Sequence, residues 1–320
     1  MINEVDIMII GSDLSSIIAA SLLSRKGFRV TLIDEARRIG GNCCYIPLSL
    51  TWLRKLGINV NDPKIVKRVV DKLDLSFNLA KTTVHSILNS KIVLLDVANL
   101  CEDLAKDSEI IFHLWSRWSI TEKTVNEVRV SVKNLSGEFR IVSRLLAQGM
   151  PASGELNLKV STGYCVGTEI KDSLVIDRSG INLYIRHGNL LTGVLVSPNN
   201  LFSNSISTVE LPWGLTMEPS ASSVLKFGPS AGHAVPPWVG DYLVNSAFMA
   251  SEVASTYLEG REDESILRKY LDFLSRVNMC KMLYEYSIKG KIGELPISFV
   301  SEALKPLLRT LPSELINYKL

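Results

Sequence analysis

Apolar and polar positions change period several times along the chain, and each change marks an element. Val5–Ile10 is an unbroken, β-branched apolar run, which predicts a strand buried on both faces. Gly11 ends it. Leu14, Ile17, Ile18 and Leu22 then recur at helical spacing, with Ala19 and Ala20 as close-packing positions, and predict a helix over Leu14–Arg25. Gly27 stands where a helix C-cap is expected. Val30–Ile33 is a second buried strand, closed by Asp34. Strand, tight turn, helix, strand and acid, in this order and length, make a βαβ nucleotide-binding unit.

Further along, Ser49–Leu56 predicts a short helix ended by Gly57, Lys64–Leu73 a second helix, and Leu75–Leu95 a hairpin broken at Asn89-Ser90. Asp96–Lys106 reads as a helix and Glu109–Leu114 as a strand. Val125–Lys133 alternates, Asn134–Gly137 turns, and Glu138–Leu146 returns, a meander laid beside a parallel sheet. Between Glu155 and Leu211, five runs alternate between turn residues: Leu156–Val160, Cys165–Ile170, Leu174–Asp177, Ile181–Arg186 and Leu190–Val196. They predict an antiparallel sheet, and Pro198–Asn204 is a polar break. Val224–Gly228 is a strand that enters a Gly/Pro-rich turn and then an Ala/Ser-rich helix, Asp241–Leu258. Glu262–Tyr286 is amphipathic, and Ile297–Leu308 and Pro312–Leu320 predict further helices.

Composition narrows the class. The 320 residues are 46% hydrophobic, enough for one large core or two to three subdomains. A net charge of +2, with no basic run carrying interleaved aromatics, argues against nucleic acid. No apolar stretch reaches ~18 residues, so no transmembrane helix is expected. The chain opens directly into a strand, so no signal peptide is expected either. The five cysteines have no zinc spacing and suit a reducing, cytoplasmic compartment. The four histidines share no metal-site spacing, and only His233 falls in a candidate site. A single glutamine, Gln148, hints at a thermophile, which the many asparagines weaken.

The candidate chemistry sits in four turns. The G-x-G-x-x-G positions hold Gly11, Ser12, Asp13, Leu14, Ser15 and Ser16. Only the first glycine survives, Ser16 is small enough for the third position, and Asp13 places a charge where a pyrophosphate should approach. Asp34, with Glu35 in reserve, stands where an acid receives ribose hydroxyls; a solvated acidic turn is the alternative. Gly40-Gly41 lets a loop pass close to a ligand. Cys43 and Cys44 read either as a redox pair or as two small buried residues. Ala147-Gln148-Gly149 ends a strand. Gly228-Pro229-Ser230-Ala231-Gly232, followed by Gly240-Asp241 at a helix start, suggests backbone lining a ligand.

The βαβ unit at 5–34, the strand-to-helix passage at 93–105, the turn at 147–149 and the turn at 228–232, in this order, resemble the FAD-dependent oxidoreductases of the p-hydroxybenzoate hydroxylase fold, and most of all the archaeal geranylgeranyl reductases. The resemblance covers most of the chain. It implies an α/β fold: a Rossmann-like FAD/NAD(P)-binding domain with an inserted antiparallel β-sheet subdomain and a helical C-terminal tail. Residues 1–150 and 212–260 would form the FAD-binding domain, 151–211 the substrate-side sheet with 74–95 pairing to it, and 261–320 the helical region. The family pattern puts FAD contacts at Gly11, Ser12, Leu14, Ser15, Ser16, Asp34, Glu35, Gly41, Cys44, Gly149, Gly228, Ala231, Gly232 and Gly240. It makes Cys43 the side-chain candidate for catalysis beside the flavin, with no metal. Three positions depart from the pattern: Asp13 for a glycine, Val97 for an arginine and Pro229 for an aspartate. Each lost charged hydrogen bond is worth roughly 1.5–3 kcal/mol, so FAD binding should be weakened by orders of magnitude. Two functions are therefore expected. One is an FAD-dependent reductase of C=C bonds in an apolar, isoprenoid-type lipid, with a redox partner and peripheral membrane contact. The other is a non-catalytic relative acting as a partner subunit or lipid-binding protein. A nicotinamide dehydrogenase would need the same glycine loop and has no further support.

Overall fold

The computed structural model describes residues 2–41, 43–79, 82–149, 156–164, 171–177, 180–195, 204–213, 223–235, 238–261 and 263–288. The expected strand Cys165–Ile170 and the helices Ile297–Leu308 and Pro312–Leu320 lie outside the described residues.

The first sheet is built on the βαβ unit. β1 (Ile2–Ile10), α1 (Leu14–Arg25) and β2 (Val30–Ile33) follow one another as their periodicity requires. β1 lies between β2 and the strand Gly137–Gln148, parallel to both. That strand is β9 in chain order. Its other edge takes β8 (Val128–Asn134) antiparallel along its first half and β15 (Val224–Lys226) parallel along its last three residues. β6 (Ile110–His113) closes one edge beside β2, and β7 (Arg117–Lys123) closes the other beside β8. β1 is buried on both sides. Ile7 and Ile9 enter the main core with α1, while Met8 and Ile10 pack with Val128, Val130, Val132 and Ile141 of the meander. A parallel strand covered on both faces needs this unbroken apolar run.

The second sheet has eight strands. β14 (Asn204–Trp213) and β13 (Leu190–Leu195) flank β10 (Leu156–Tyr164). β12 (Gly180–His187) and β11 (Ser173–Asp177) continue from β13. β11 then pairs parallel with β4 (Val66–Leu79), which forms a long hairpin with β5 (Thr82–Asp96), and β3 (Tyr45–Ser49) completes the far edge. Between the sheets lie α1, α3 (Val97–Lys106) and α4 (Val239–Leu258), with α2 (Leu50–Lys55) beside β3 and α5 (Glu264–Ile288) against α4. One apolar cluster runs from Ile7 and Ile9 through α1 and α4 to Leu94 and Ile185 of the second sheet.

Two expectations are corrected. Lys64–Leu73 is not a helix but the start of β4. Its buried residues are Ile65, Val66, Val70 and Leu73, a helix-like spacing. The register shifts between Val66 and Arg68, where the extra residue lies on β4 and offsets its alternation of two, and again between Val70 and Lys72, where the extra residue lies on β5. The hairpin does not break at Asn89-Ser90; β5 runs through both positions. β7 was not anticipated, because nearly all its side chains face solvent and leave no apolar rhythm.

Candidate functional site

The four turns singled out above converge where the carboxyl ends of β1, β2 and β9 meet the start of α1, the place where open parallel sheets bind ligands. Gly11 has φ 114° and its N–H donates to Ile33 O (2.9 Å), so the chain turns sharply off β1. Ser12 N–H then donates to Asp34 Oδ2. Asp34 Oδ1 accepts from Ala36 N–H (2.8 Å), and Gly40 N–H donates to Ser12 O (2.7 Å). The acid at the end of β2 is thus fixed from two sides and ties the 34–41 loop to the glycine turn. Glu35 is exposed, and Gly41 is half-buried at the edge of the same loop.

Asp13 is the N-cap of α1. Its Oδ1 accepts from Ser15 N–H (2.9 Å) and Ser15 Oγ (2.5 Å), and its Oδ2 from Ser16 Oγ (2.6 Å). A helix N-terminus is an anion seat because its first amides have no partner and the dipole favours negative charge. Here the chain fills that seat with its own carboxylate. Burial is the largest influence on Asp13 and raises its pKa; the two serines pull it down, and the nearby Asp34 charge adds to the rise.

The other two turns close on the same spot. A Cβ at Gly149 would fall on Ser16 Oγ and lie 3.1 Å from Asp13 Oδ2; a Cβ at Gly228 would fall on Ser15 Oγ. Only glycine fits either position. Gly149 N–H donates to Ile10 O (2.9 Å), Phe227 N–H to Gln148 O (2.9 Å) and Ser230 N–H to Gly149 O (3.0 Å). Leu14, Ser15, Ser16, Gly228, Pro229, Ala231 and Gly232 are all buried.

The turns as they stand do not fit the pyrophosphate of FAD. Its pyrophosphate needs the first-turn amides of α1 and room between them and the 149 and 228 turns. Asp13 holds the Ser15 amide, and the serine hydroxyls occupy the space under both glycines. Val97 offers no cation: it is buried, and its N–H donates to Cys44 O (3.1 Å). Pro229 opens a single turn of 3₁₀ helix, Gly228–Ala231, and offers neither carboxylate nor N–H.

The remaining candidates make contacts within the fold. Cys43 Sγ–H donates to Tyr45 O (3.5 Å); burial first and then the Cys44 sulfur push its pKa up to about 12, so it is a neutral thiol. Cys44 is half-buried, and among the described residues no two cysteines form a disulfide. A Cβ at Gly240 would fall on Pro47 O, so α4 packs directly on β3. Asp241 beside it accepts from Ser49 N–H (2.7 Å), and burial lifts its pKa to about 6 against the pull of Ser49. His233 is fully buried, and burial lowers its pKa to about 3. Ser246 Oγ accepts from Gly228 N–H (2.7 Å), which leaves the serine proton for His233 Nδ1 (2.7 Å) and the imidazole proton on Nε2. The ring stands perpendicular to Phe273 at 4.9 Å, an arrangement that lets an N–H rest on an aromatic face. His233 pins the 228 turn to α4 and α5. No group of acids, cysteines and histidines fit for a metal occurs among the described residues.

Sequence reading missed one feature at the edge of this region. Trp115, just past β6, has φ 53°, the one positive value at a described non-glycine residue, a conformation costing of order 1–3 kcal/mol. Its N–H donates to Ala36 O (3.1 Å), its indole is 43% exposed, and Arg37 lies over the ring at 4.4 Å. Periodicity carries no sign of a strained residue in a loop.

Comparison with known proteins agrees with this architecture. The NAD(P)-binding Rossmann-like domain family matches residues 9–57. No curated protein matches the chain. Among solved structures, the chain is similar to a geranylgeranyl bacteriochlorophyll reductase-like protein from Thermoplasma acidophilum, with TM-score 0.68 at 12% identity over 97% of this chain and 100% of that one. It is also similar to p-nitrophenol 4-monooxygenase from Pseudomonas putida (TM-score 0.66, 11% identity, 95% and 93% covered). A flavoprotein/dehydrogenase from Cytophaga hutchinsonii follows (TM-score 0.64, 12% identity, 96% and 93% covered). The chain therefore has the α/β fold of the FAD-dependent monooxygenases and reductases, from its Rossmann-like unit to the C-terminal helix.

Proposed function

We propose that this protein keeps the flavoenzyme fold but works without tightly held FAD, as a non-catalytic partner subunit or lipid-binding protein. The observation that carries this reading is the Asp13 carboxylate in the α1 anion seat, bonded to Ser15 and Ser16 beneath Gly149 and Gly228. A bound pyrophosphate would have to displace those bonds and sit beside a carboxylate of its own sign. No helix among the described residues is long and apolar enough to cross a membrane. Leu267 and Leu271, more than half and half exposed on α5, suit contact with an apolar partner or the lipid surface.

A second reading is favoured by the end-to-end likeness to the Thermoplasma protein. In it, the chain is a cytoplasmic FAD-dependent reductase of C=C bonds in an isoprenoid-type substrate, served by a redox partner. FAD would supply the hydride chemistry, Asp13 would have to swing off α1, and Cys43 could act near the flavin only as a neutral thiol. The visible spectrum separates the two. A colourless purified protein that takes up no added FAD is expected; stoichiometric flavin absorbance would sink the first reading. Asp13→Gly combined with Pro229→Asp should then raise FAD affinity.

A further inference from the structure

We propose that α5 is the contact between two copies of this chain, laid antiparallel across a two-fold axis. This builds on Leu267 and Leu271 as the contact surface of the partner-subunit reading, and it holds whether or not FAD binds.

α5 carries two apolar rows. Tyr270, Phe273 and Val277 form one and pack against the main core. Leu267, Leu271 and Leu274 form the other, four and three residues apart, and Asn278 and Met282 continue it. Leu267, Leu271 and Met282 are exposed, and Leu274 is half-buried. Single exposed leucines are common, but a row at helical spacing makes a seam of the kind two helices bury together.

Charge selects a second copy as the occupant. Glu264, in the acidic first turn of α5, lies seven residues before Leu271, and Lys281 lies seven after Leu274. When Leu271 meets the partner's Leu274 in an antiparallel pair, Glu264 therefore comes level with the partner's Lys281. By symmetry the same contact forms a second time. In the single chain these charges have only loose pairs one helical turn away, Arg268 at 3.3 Å and Glu285 at 3.8 Å, which contribute little and are easily exchanged. Lys269 and Arg276 are exposed and fall on the opposite side of the helix from the row. A lipid surface fits this pattern less well. It would set Glu264 against anionic head groups while Lys269 and Arg276 pointed away from them.

The test is sedimentation velocity of the intact chain from about 1 to about 100 µM, where a monomer–dimer equilibrium is expected. Leu271→Glu should weaken it about tenfold or more, with the circular dichroism of the folded chain unchanged. Glu264→Lys and Lys281→Glu should each weaken it about threefold to tenfold, and the two together should restore most of it. A lysine in the first turn still opposes the helix dipole in the double variant, so general damage to α5 would not be repaired. A chain that stays monomeric over the whole range would overturn the dimer and leave the FAD-free reading standing. A dimer untouched by Leu271→Glu would overturn its placement on α5, and a double variant no tighter than either single one would overturn the antiparallel register. A monomer that binds phosphatidylglycerol vesicles through Leu271 would give the row to lipid and overturn the dimer as well.

Discussion

Replacing Asp13 tests how much of the glycine-turn region one carboxylate holds in place. Asp13→Ala removes the N-cap of α1, worth about 0.5–2 kcal/mol. It also leaves Ser15 Oγ and Ser16 Oγ, both on fully buried residues, without their acceptor. An unsatisfied buried polar group costs about 1–3 kcal/mol. Relief of the carboxylate's own desolvation works the other way. The balance is a loss of about 2–4 kcal/mol. Asp13→Asn keeps a cap of equal rank and one acceptor oxygen, so it should cost below about 1 kcal/mol. With about 2.1 cal/mol/K of unfolding entropy per residue, the alanine variant should melt about 3–6 °C lower and the asparagine variant within about 2 °C of the parent. Differential scanning calorimetry at pH 7 reads both. Equal melting of the two variants would refute the reasoning, because the seat would then not depend on an acceptor at position 13.

Four further outcomes follow from the same geometry. Asp241 has its pKa raised to about 6, so its contribution to stability is full below about pH 4 and is lost as pH rises through 6. Asp241→Asn should gain up to about 3 kcal/mol over the parent between pH 4 and pH 7, seen as the change in melting difference; a pH-independent difference would contradict it. Gly149→Ala should unfold or aggregate in expression tests, and adding Ser16→Gly, which removes the hydroxyl under the new Cβ, should restore soluble protein. His233→Ala should destabilise by about 2–4 kcal/mol in urea titration, by leaving the Ser246 hydroxyl proton without its acceptor and a cavity against Phe273. Cys43, a neutral thiol, should resist iodoacetamide at pH 8 in the folded chain, as mass spectrometry of the modified peptide would report.

The sequence by itself determined the βαβ unit, because a strand buried on both faces and a helix of small and apolar residues have periods nothing else in the chain imitates. It also marked Asp13, Val97 and Pro229 as departures from one cofactor pattern. Where a β-bulge offsets the alternation, as at Val66–Arg68, the same period argument points to a helix that is a strand. Whether Asp13 merely obstructs a pyrophosphate or replaces it could not be read from position 13 alone. That depended on Ser15 and Ser16 turning their hydroxyls to it, and on Gly149 and Gly228, more than a hundred residues away, closing over them. Trp115 was silent for the same reason: its strain and its place beside Asp34 arise only where β6 pairs with β2. Local periods fix which elements form; long-range packing decides which polar groups meet, and the site is made of those meetings.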